Sequence, residues 1–524
     1  MLIHRLYAGF LPGLCALATP SFASATATES FDQKVDRWIE PFSTGLSNFI
    51  FYKADLFGHA IPLIVLWLAV AALFFTLYMG FINIRAFAHA IRLVRGDYHN
   101  PSHRGEISHF QAVATAVSGT VGIGNIGGVA VAISIGGPGA AFWLIIAGFL
   151  SMSTKLVECT LGVKYRRHNP DGSVSGGPMY YLEAFLAQRN KPRLGKLLGG
   201  FYALALVIGC FGIGNMFQSN QAYAQFVNIT GNESSFFADK GWLFGLFLAA
   251  IIGVVILGGI RSIARVAGKV VPFMAVLYVV SALVIIGLSA EHIPTAFGMM
   301  FQGAFTSEGA TGGMIGAMIV GFQRALFSNE AGIGSASIAH SAVQTDQPSS
   351  EGIVSLLEPF IDTVVICTLT SLVIITTAYP YGLMDSGLEG IALTSAAFEH
   401  HISWSPYLLA IAGLLFAFST AISWSYYGLK GWTYLFGEAI YSQNIFKTIF
   451  CLFIVLGCMT NLTSVLNFSD AIVFLIAIPN ILGLYLFAPE VKREVNQYLA
   501  KVKSGEIASF RNAKVLGTGA GKTA

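Results

Sequence analysis

The chain has 524 residues, 55% of them hydrophobic and only 11% charged, whereas soluble domains carry about 25% charged residues. That composition, with a mean hydropathy of +0.67, excludes an ordinary soluble enzyme and marks an integral membrane protein. A formal net charge of +3 is too small to point to nucleic acid. Of the six cysteines, all but Cys15 sit in or beside apolar runs, and they form neither a disulfide framework nor a zinc spacing.

Residues 1–25 carry His4 and Arg5, an apolar run from Leu6 to Ala18, and a small-residue stretch ending at Ala25. This is the pattern of a secretory signal peptide. Residues 26–59 mix Asp32, Asp36 and Glu40 with Trp38, Phe42 and Phe49, as expected of an amphipathic segment outside the membrane. Span 1 is predicted at about 60–83 and is followed by Arg85, Arg92, Arg95 and Arg104, which places that loop inside the cell. Span 2, about 109–135, and span 3, about 140–163, turn at Gly136-Gly137-Pro138-Gly139. Span 4, about 197–227, is interrupted by the amide-rich run Asn215 to Gln221, too polar for a lipid-facing helix. Spans 5 and 6 are predicted at about 241–259 and 270–289, spans 7 and 8 at about 313–339 and 353–378. Span 9 follows at about 405–428, then spans 10 and 11 at about 445–465 and 469–488.

Nearly all lysines and arginines between spans fall in alternate loops, and the opposite loops are acidic or neutral. The sequence therefore predicts an all-α polytopic membrane protein of about eleven helices, amino terminus out and carboxyl terminus in. The transmembrane part is expected over 60–490 and a cytoplasmic tail over 491–524.

Two spans carry glycine-rich interruptions. Span 2 contains Ser118-Gly119-Thr120-Val121-Gly122-Ile123-Gly124-Asn125-Ile126-Gly127-Gly128, and span 7 contains Gly321 through Gly334, including Arg324, Ser328, Asn329 and Glu330. Each glycine costs a helix about 1 kcal/mol relative to alanine, so both segments are expected to unwind where something else satisfies the freed backbone, a bound solute among the candidates. Four spans separate them, so span 7 enters the membrane in the opposite sense to span 2. Paired interruptions in two inverted halves point to a transporter site near the membrane midplane. Close helix packing accounts for one or two glycines, but poorly for Thr120, Asn125, Ser328, Asn329 and Glu330. Gly122-x-Gly124-x-x-Gly127 also matches a dinucleotide fingerprint, but it lacks the flanking strand, helix and acidic residue, so nucleotide binding is rejected.

Half-helix amino ends favour an anionic group and unwound carbonyls favour a small cation, so a zwitterion travelling with sodium suits both breaks. Thr120, Gly122, Gly124 and Asn125 are the contacts expected from span 2, with Gln218 from span 4 able to meet an ammonium or a carboxylate. Ser419 and Thr420 of span 9 offer hydroxyls suited to an alkali cation, although helical Ser and Thr often bond their own carbonyls instead. Lys155, Glu158, Arg324, Glu330, Glu358 and Asp362 are costly in lipid and must face protein or water. Lys155 and Glu158 at i,i+3 are read as a pair. Glu358 and Asp362 are read as sharing a face of span 8, in a cation path or paired with Arg324.

The motifs Thr120 to Ala130, Gly136 to Trp143, Asn215 to Asn220, Arg324 to Gly332, Phe360-Ile361-Asp362-Thr363, and Phe418-Ser419-Thr420 with Ser423 to Gly428 resemble those of the alanine or glycine:cation symporter family. The resemblance covers about residues 30–490. It implies a leucine-transporter-like 5+5 inverted repeat, spans 2–6 and 7–11, preceded by one extra span. It also implies sodium-driven uptake of alanine or glycine across a bacterial inner membrane, with Na⁺ as coupling ion and no organic cofactor. Carried over by motif, Thr120, Gly122, Gly124, Asn125 and Gln218 form the substrate pocket with Gly321, Phe322, Phe327 and Trp424. Ser419 and Thr420 join span 2 carbonyls at a sodium site, while Arg324, Asn329, Glu330, Glu358 and Asp362 serve coupling or gating. A transporter rather than an enzyme is expected. The alternatives left open are proton coupling through Glu330, Glu358 or Asp362, and an amino-acid sensor or channel on the same scaffold.

Overall fold

The computed structural model describes residues 31–507 and 509, apart from 57–58, 99, 101–102, 171 and 307–312. The expected signal peptide lies outside the described residues. Among those described, seven helices are long and apolar enough to cross a membrane, and two shorter apolar ones, Leu63–Tyr78 and Gly241–Leu257, occupy the places of spans 1 and 5. Two short antiparallel hairpins, Lys53–Leu56 with His59–Pro62 and Arg167–His168 with Val174–Ser175, complete the regular structure.

The remaining span labels attach to the helices found in each place. Span 2 starts at His109–Thr120, capped by Ser108 and Gln111, which exchange side-chain and backbone hydrogen bonds in a capping box. After a break it resumes at Gly127, in a helix assigned through to Lys164. Gly137 divides that helix: its φ of 67° and ψ of −173° are open to glycine, and Pro138 starts span 3. Span 4 is Pro192–Phe211 and Phe217–Ile229 joined by a π turn, Gly212–Met216. Span 6 is Gly259–Leu288, span 9 Ser405–Phe436 and span 10 Ile440–Met459. Span 7 is Gly313–Asn329 and Ala336–His340, and span 8 runs from Pro348 to Thr377.

The loops hold helices that their composition hides. Pro178–Gln188 lies in the basic loop after span 3, and Ile293–Phe305 and Ile391–His401 lie at the opposite end. Span 11, Leu462–Ser504, runs well past the predicted 488 because Lys and Glu at exposed positions favour helix once the bilayer is left behind.

The segment before span 1 forms a helix, Phe31–Ile50. It lies against span 11, with Phe42 on Phe468 and Phe51 on Phe474 at ring distances of 6.2 and 5.1 Å. Trp38 and Phe49 stay exposed on its other side.

The amides of span 4 are structural. Asn215 donates to the Phe450 carbonyl (2.7 Å), and Asn220 donates to those of Gly457 (3.2 Å) and Thr460 (2.5 Å), all at span 10. Buried amides must be bonded, and these tie two long helices together. A cavity of about 1020 Å³ opens at the end opposite the basic loops, between the Phe31–Ile50 helix, the second arm of span 2, span 7 and span 11.

Candidate functional site

Both predicted breaks are present, and they meet. In span 2 the helix stops at Thr120, Ile123–Asn125 makes one 3₁₀ turn, and helix resumes at Gly127. In span 7 the helix stops at Asn329 and resumes at Ala336. Three residues of the second break have left-handed backbones: Glu330 at φ 57°, Gly332 at 91° and Gly334 at 86°. Glycine accepts that geometry freely, whereas Glu330 is held there at a cost of about 1–2 kcal/mol.

Side chains of neighbouring elements satisfy much of the unwound backbone, more than a bound solute was expected to supply. The Asn125 side chain accepts from the Gly122 N–H (2.9 Å) and Gln218 Oε1 accepts from the Ile123 N–H (3.0 Å). Thr370 donates to the Asn125 carbonyl and Thr394 to that of Ile126. In the second break, Glu158 accepts from the Gly332 N–H (2.7 Å), Asn480 donates to the Gly332 carbonyl (2.8 Å), and Tyr202 donates to that of Ile333 (2.9 Å).

Asp362 joins the two breaks. It lies in a π turn of span 8, Phe360–Cys367, and is fully buried. Its carboxylate accepts from Asn125 Nδ2 at 2.6 Å, Ser328 Oγ at 2.8 Å and Thr363 Oγ1 at 2.6 Å, while Asn329 Nδ2 donates to Thr363 (3.1 Å). Beside it, the rings of Phe217 and Phe327 meet edge to face at 5.4 Å, and a Cβ on Gly124 would sit 3.7 Å from Phe327 and 3.9 Å from Phe217. A small side chain here meets two aromatic rings, with polar groups from both breaks close by.

The other predicted residues fall into place unevenly. Gly122 is hemmed in: a Cβ would stand 2.6 Å from Thr420 Oγ1 and 2.8 Å from Gln218 Oε1. Thr420 Oγ1 is buried without a hydrogen-bond partner, so it is available to an ion beside the break. Ser419 Oγ instead donates within its own helix to the Phe416 carbonyl (3.1 Å), while the Ser419 carbonyl accepts from Ser118 at 2.6 Å. Thr120 Oγ1 lies 3.4 Å from the Ala116 and Val117 carbonyls of its own helix. Trp424 packs on Gly214 of the span 4 π turn and donates to Glu330 Oε1 (2.8 Å), whose other oxygen accepts from Ser335.

Four readings need correction. Gln218 does not stand open as read, because its side chain already accepts from Ile123 N–H and donates to the Ile213 carbonyl (2.9 Å); it pins span 4 to the first break. Gly321 faces span 3, where a Cβ would meet the Ala140 carbonyl at 2.6 Å, and Phe322 leans on Trp143 there, so neither reaches the breaks. Lys155 pairs with Glu358 across spans at 3.5 Å, whereas Glu158 turns to the second break. Arg324 bonds neither Glu358 nor Asp362: it forms an ion pair with Asp470 of span 11, to which Gln323 also donates, at the floor of the cavity. Glu358 and Asp362 flank the start of the π turn, and the wider turn gives them separate partners.

Gln218→Ala is expected to lower the unfolding temperature and depress transport together, because the Ile123 N–H loses its acceptor at a cost of about 1–3 kcal/mol. A thermal-shift assay beside an uptake assay reads both.

Two oppositely directed, interrupted helices bonded through a buried carboxylate, below a cavity floored by an ion pair, define a secondary transporter of the inverted-repeat class. A solved structure of MhsT in complex with L-phenylalanine has the same fold, with a TM-score of 0.53 at 15% identity over 76% of this chain and 99% of that one. The leucine-transporter-like fold read from the sequence is therefore the fold found. The sodium:alanine symporter family matches residues 45–512, and this chain belongs to it. A sodium/alanine symporter of Methanococcus maripaludis, AgcS, is 39% identical over 441 residues, 83% of this chain and 94% of its own length. A probable sodium/glutamine symporter of Bacillus subtilis, GlnT, is 32% identical across 86% of this chain and 90% of its own. The chain is thus a multi-pass transporter of the amino acid:cation symport class, and no catalytic activity is indicated.

Proposed function

We propose that this protein is a sodium-coupled symporter that carries a small neutral amino acid, alanine or glycine, into a bacterial cell across the inner membrane by alternating access. The observation that carries the reading is the Asn125–Asp362–Ser328 bridge, which makes the two helix breaks one site. The Phe217–Phe327 pair crowds the surroundings of Gly124, where an added Cβ would already touch both rings at 3.7–3.9 Å, and this crowding supports alanine and glycine over larger side chains. Thr420 Oγ1 beside Gly122 supplies a hydroxyl for sodium, with Ser419 the weaker candidate because its own helix holds it.

In this reading the basic loops face the cytoplasm, the chain makes eleven spans over about 60–490, and the amino terminus lies outside. Residues 1–25 are the signal peptide and 26–59 an extracytoplasmic segment, with the tail from 491 inside. The 1020 Å³ cavity is then the outer vestibule, and the Arg324–Asp470 pair separates it from the breaks. Coupling arises if sodium and amino acid both favour the closed arrangement bridged by Asp362, since each then raises the affinity of the other by the same factor.

Equilibrium binding to purified protein tests this. Sodium is expected to tighten labelled alanine binding by at least about fivefold, and alanine to tighten sodium binding equally. Leucine should compete poorly with alanine, and potassium should not replace sodium. Alanine binding indifferent to sodium would overturn the assignment of the ion.

A further inference from the structure

At the basic-loop end, away from the breaks, lies an unbroken chain of buried ionisable side chains that substrate binding does not use. His109 at the start of span 2 bonds Glu351 through Nδ1. The other Glu351 oxygen meets His340 Nδ1 at 2.5 Å, His340 Nε2 meets Glu358, and Glu358 pairs with Lys155 at 3.5 Å. All five are buried, and His109, at 4% exposure, is the outermost.

The geometry fixes a proton count. Both ring nitrogens of His340 face carboxylate oxygens. An ionised carboxylate only accepts and a neutral imidazole has one N–H, so the two contacts need one proton more than neutral His340 with ionised Glu351 and Glu358 can supply. Cys159 of span 3 places its sulfur within 4.8 Å of His340 and Glu358. Lys155 and Glu158 of span 3 and Tyr427 of span 9 lie within electrostatic reach of Glu358, Tyr181 of the basic loop within reach of Glu158 and Cys159, and Arg166 within reach of Glu351. Lys155 is the cation at the inner end of this chain of groups, and its charge is engaged by Glu358.

His340 is the last residue of the short second arm of span 7, and its partners stand on span 8 and, through Glu351, on span 2. Any movement of that arm away from span 8 would separate His340 from both carboxylates. We propose that His340, clasped by Glu351 and Glu358, is a site for an exchangeable proton, and that opening the basic-loop face releases this proton. The bound proton latches that face shut, and Glu351 and His109 form its exit to solution. By linkage, a rise in pH favours the open form and a fall in pH favours the closed one, by up to about tenfold per pH unit for one proton. The inference rests on alternating access as proposed above, but not on which amino acid or ion is carried.

Single-molecule fluorescence transfer tests it without cargo. Dyes go on Asp346→Cys, in the exposed turn after span 7, and Gln188→Cys, at the exposed end of the basic-loop helix. The described native cysteines are buried or half-buried, and with Cys15→Ser in the background the new thiols are the reactive ones. In nanodiscs, the ratio of open to closed molecules is expected to rise at least about tenfold between about pH 6 and about pH 8, the range that brackets imidazole titration. His340→Gln should abolish that slope. Glu351→Gln, which leaves only one carboxylate on the imidazole, should move the transition to lower pH, and it serves alone if His340→Gln does not fold. A wild-type ratio flat across that range, a single unchanging distance, or an unaltered slope in a folded variant would each overturn the proposal. Binding of alanine fails or succeeds independently of this readout.

Discussion

Replacing Asp362 with alanine is expected to abolish transport, reducing uptake by at least about a hundredfold, while the protein still reaches the membrane. The substitution leaves Asn125 Nδ2, Ser328 Oγ and Thr363 Oγ1 with no carboxylate to meet, in a site with almost no water access. Each orphaned buried donor costs about 1–3 kcal/mol, and the three share one network, so the costs do not simply add. In the reading proposed above, the arrangement bridged by Asp362 bears the loss of the Asn125 and Ser328 contacts, which join separate spans. Asp362→Asn keeps the shape but turns one acceptor into a donor, so it should fall between alanine and wild type. Labelled alanine uptake normalised to membrane abundance measures all three; wild-type uptake by Asp362→Ala would remove the bridge from the mechanism.

The second large effect is expected at Gly122, where one methyl group suffices. An alanine Cβ would press on Thr420 Oγ1 at 2.6 Å and Gln218 Oε1 at 2.8 Å, both far inside contact distance. Relieving that overlap displaces the hydroxyl assigned to sodium or the amide that holds Ile123, and overpacking of this kind costs about 1–3 kcal/mol. Gly122→Ala should therefore cut uptake more than about tenfold and raise the sodium concentration needed for half-maximal rate. Gly128→Ala, five residues past the 3₁₀ turn's start and with open space around its Cβ position, is the matched control and should transport normally. Equal rates in the two variants would show that the crowding at Gly122 is harmless.

The breaks were legible in the sequence because glycine and amide side chains in an apolar span are a local signal, and so was the hairpin between spans 2 and 3 at Gly136 to Gly139. What lay hidden depends on rotation and on distant partners. Gly321 and Gly334 look alike in the sequence, yet Gly321 lies within the first arm of span 7 and packs on span 3, while Gly334, thirteen residues on, lies in the break. Gln218 reads as a free amide until its two backbone partners, one of them 95 residues away, are known. The partner of Arg324 stands 146 residues on, in a span whose lone Asp470 carries no motif. The π turn of span 8 has no simple sequence mark, and it separates the roles of Glu358 and Asp362. His109 and His340 did carry a usable signal, since ionisable residues inside apolar spans rarely lack a function.

Transport against a gradient is the most direct measure of the central claim. In proteoliposomes holding the purified full-length chain, labelled alanine should accumulate above its outside concentration when sodium is imposed as an inward gradient, and should only equilibrate when potassium replaces sodium. Equal accumulation without sodium, or equilibration without accumulation in its presence, would contradict sodium-coupled symport.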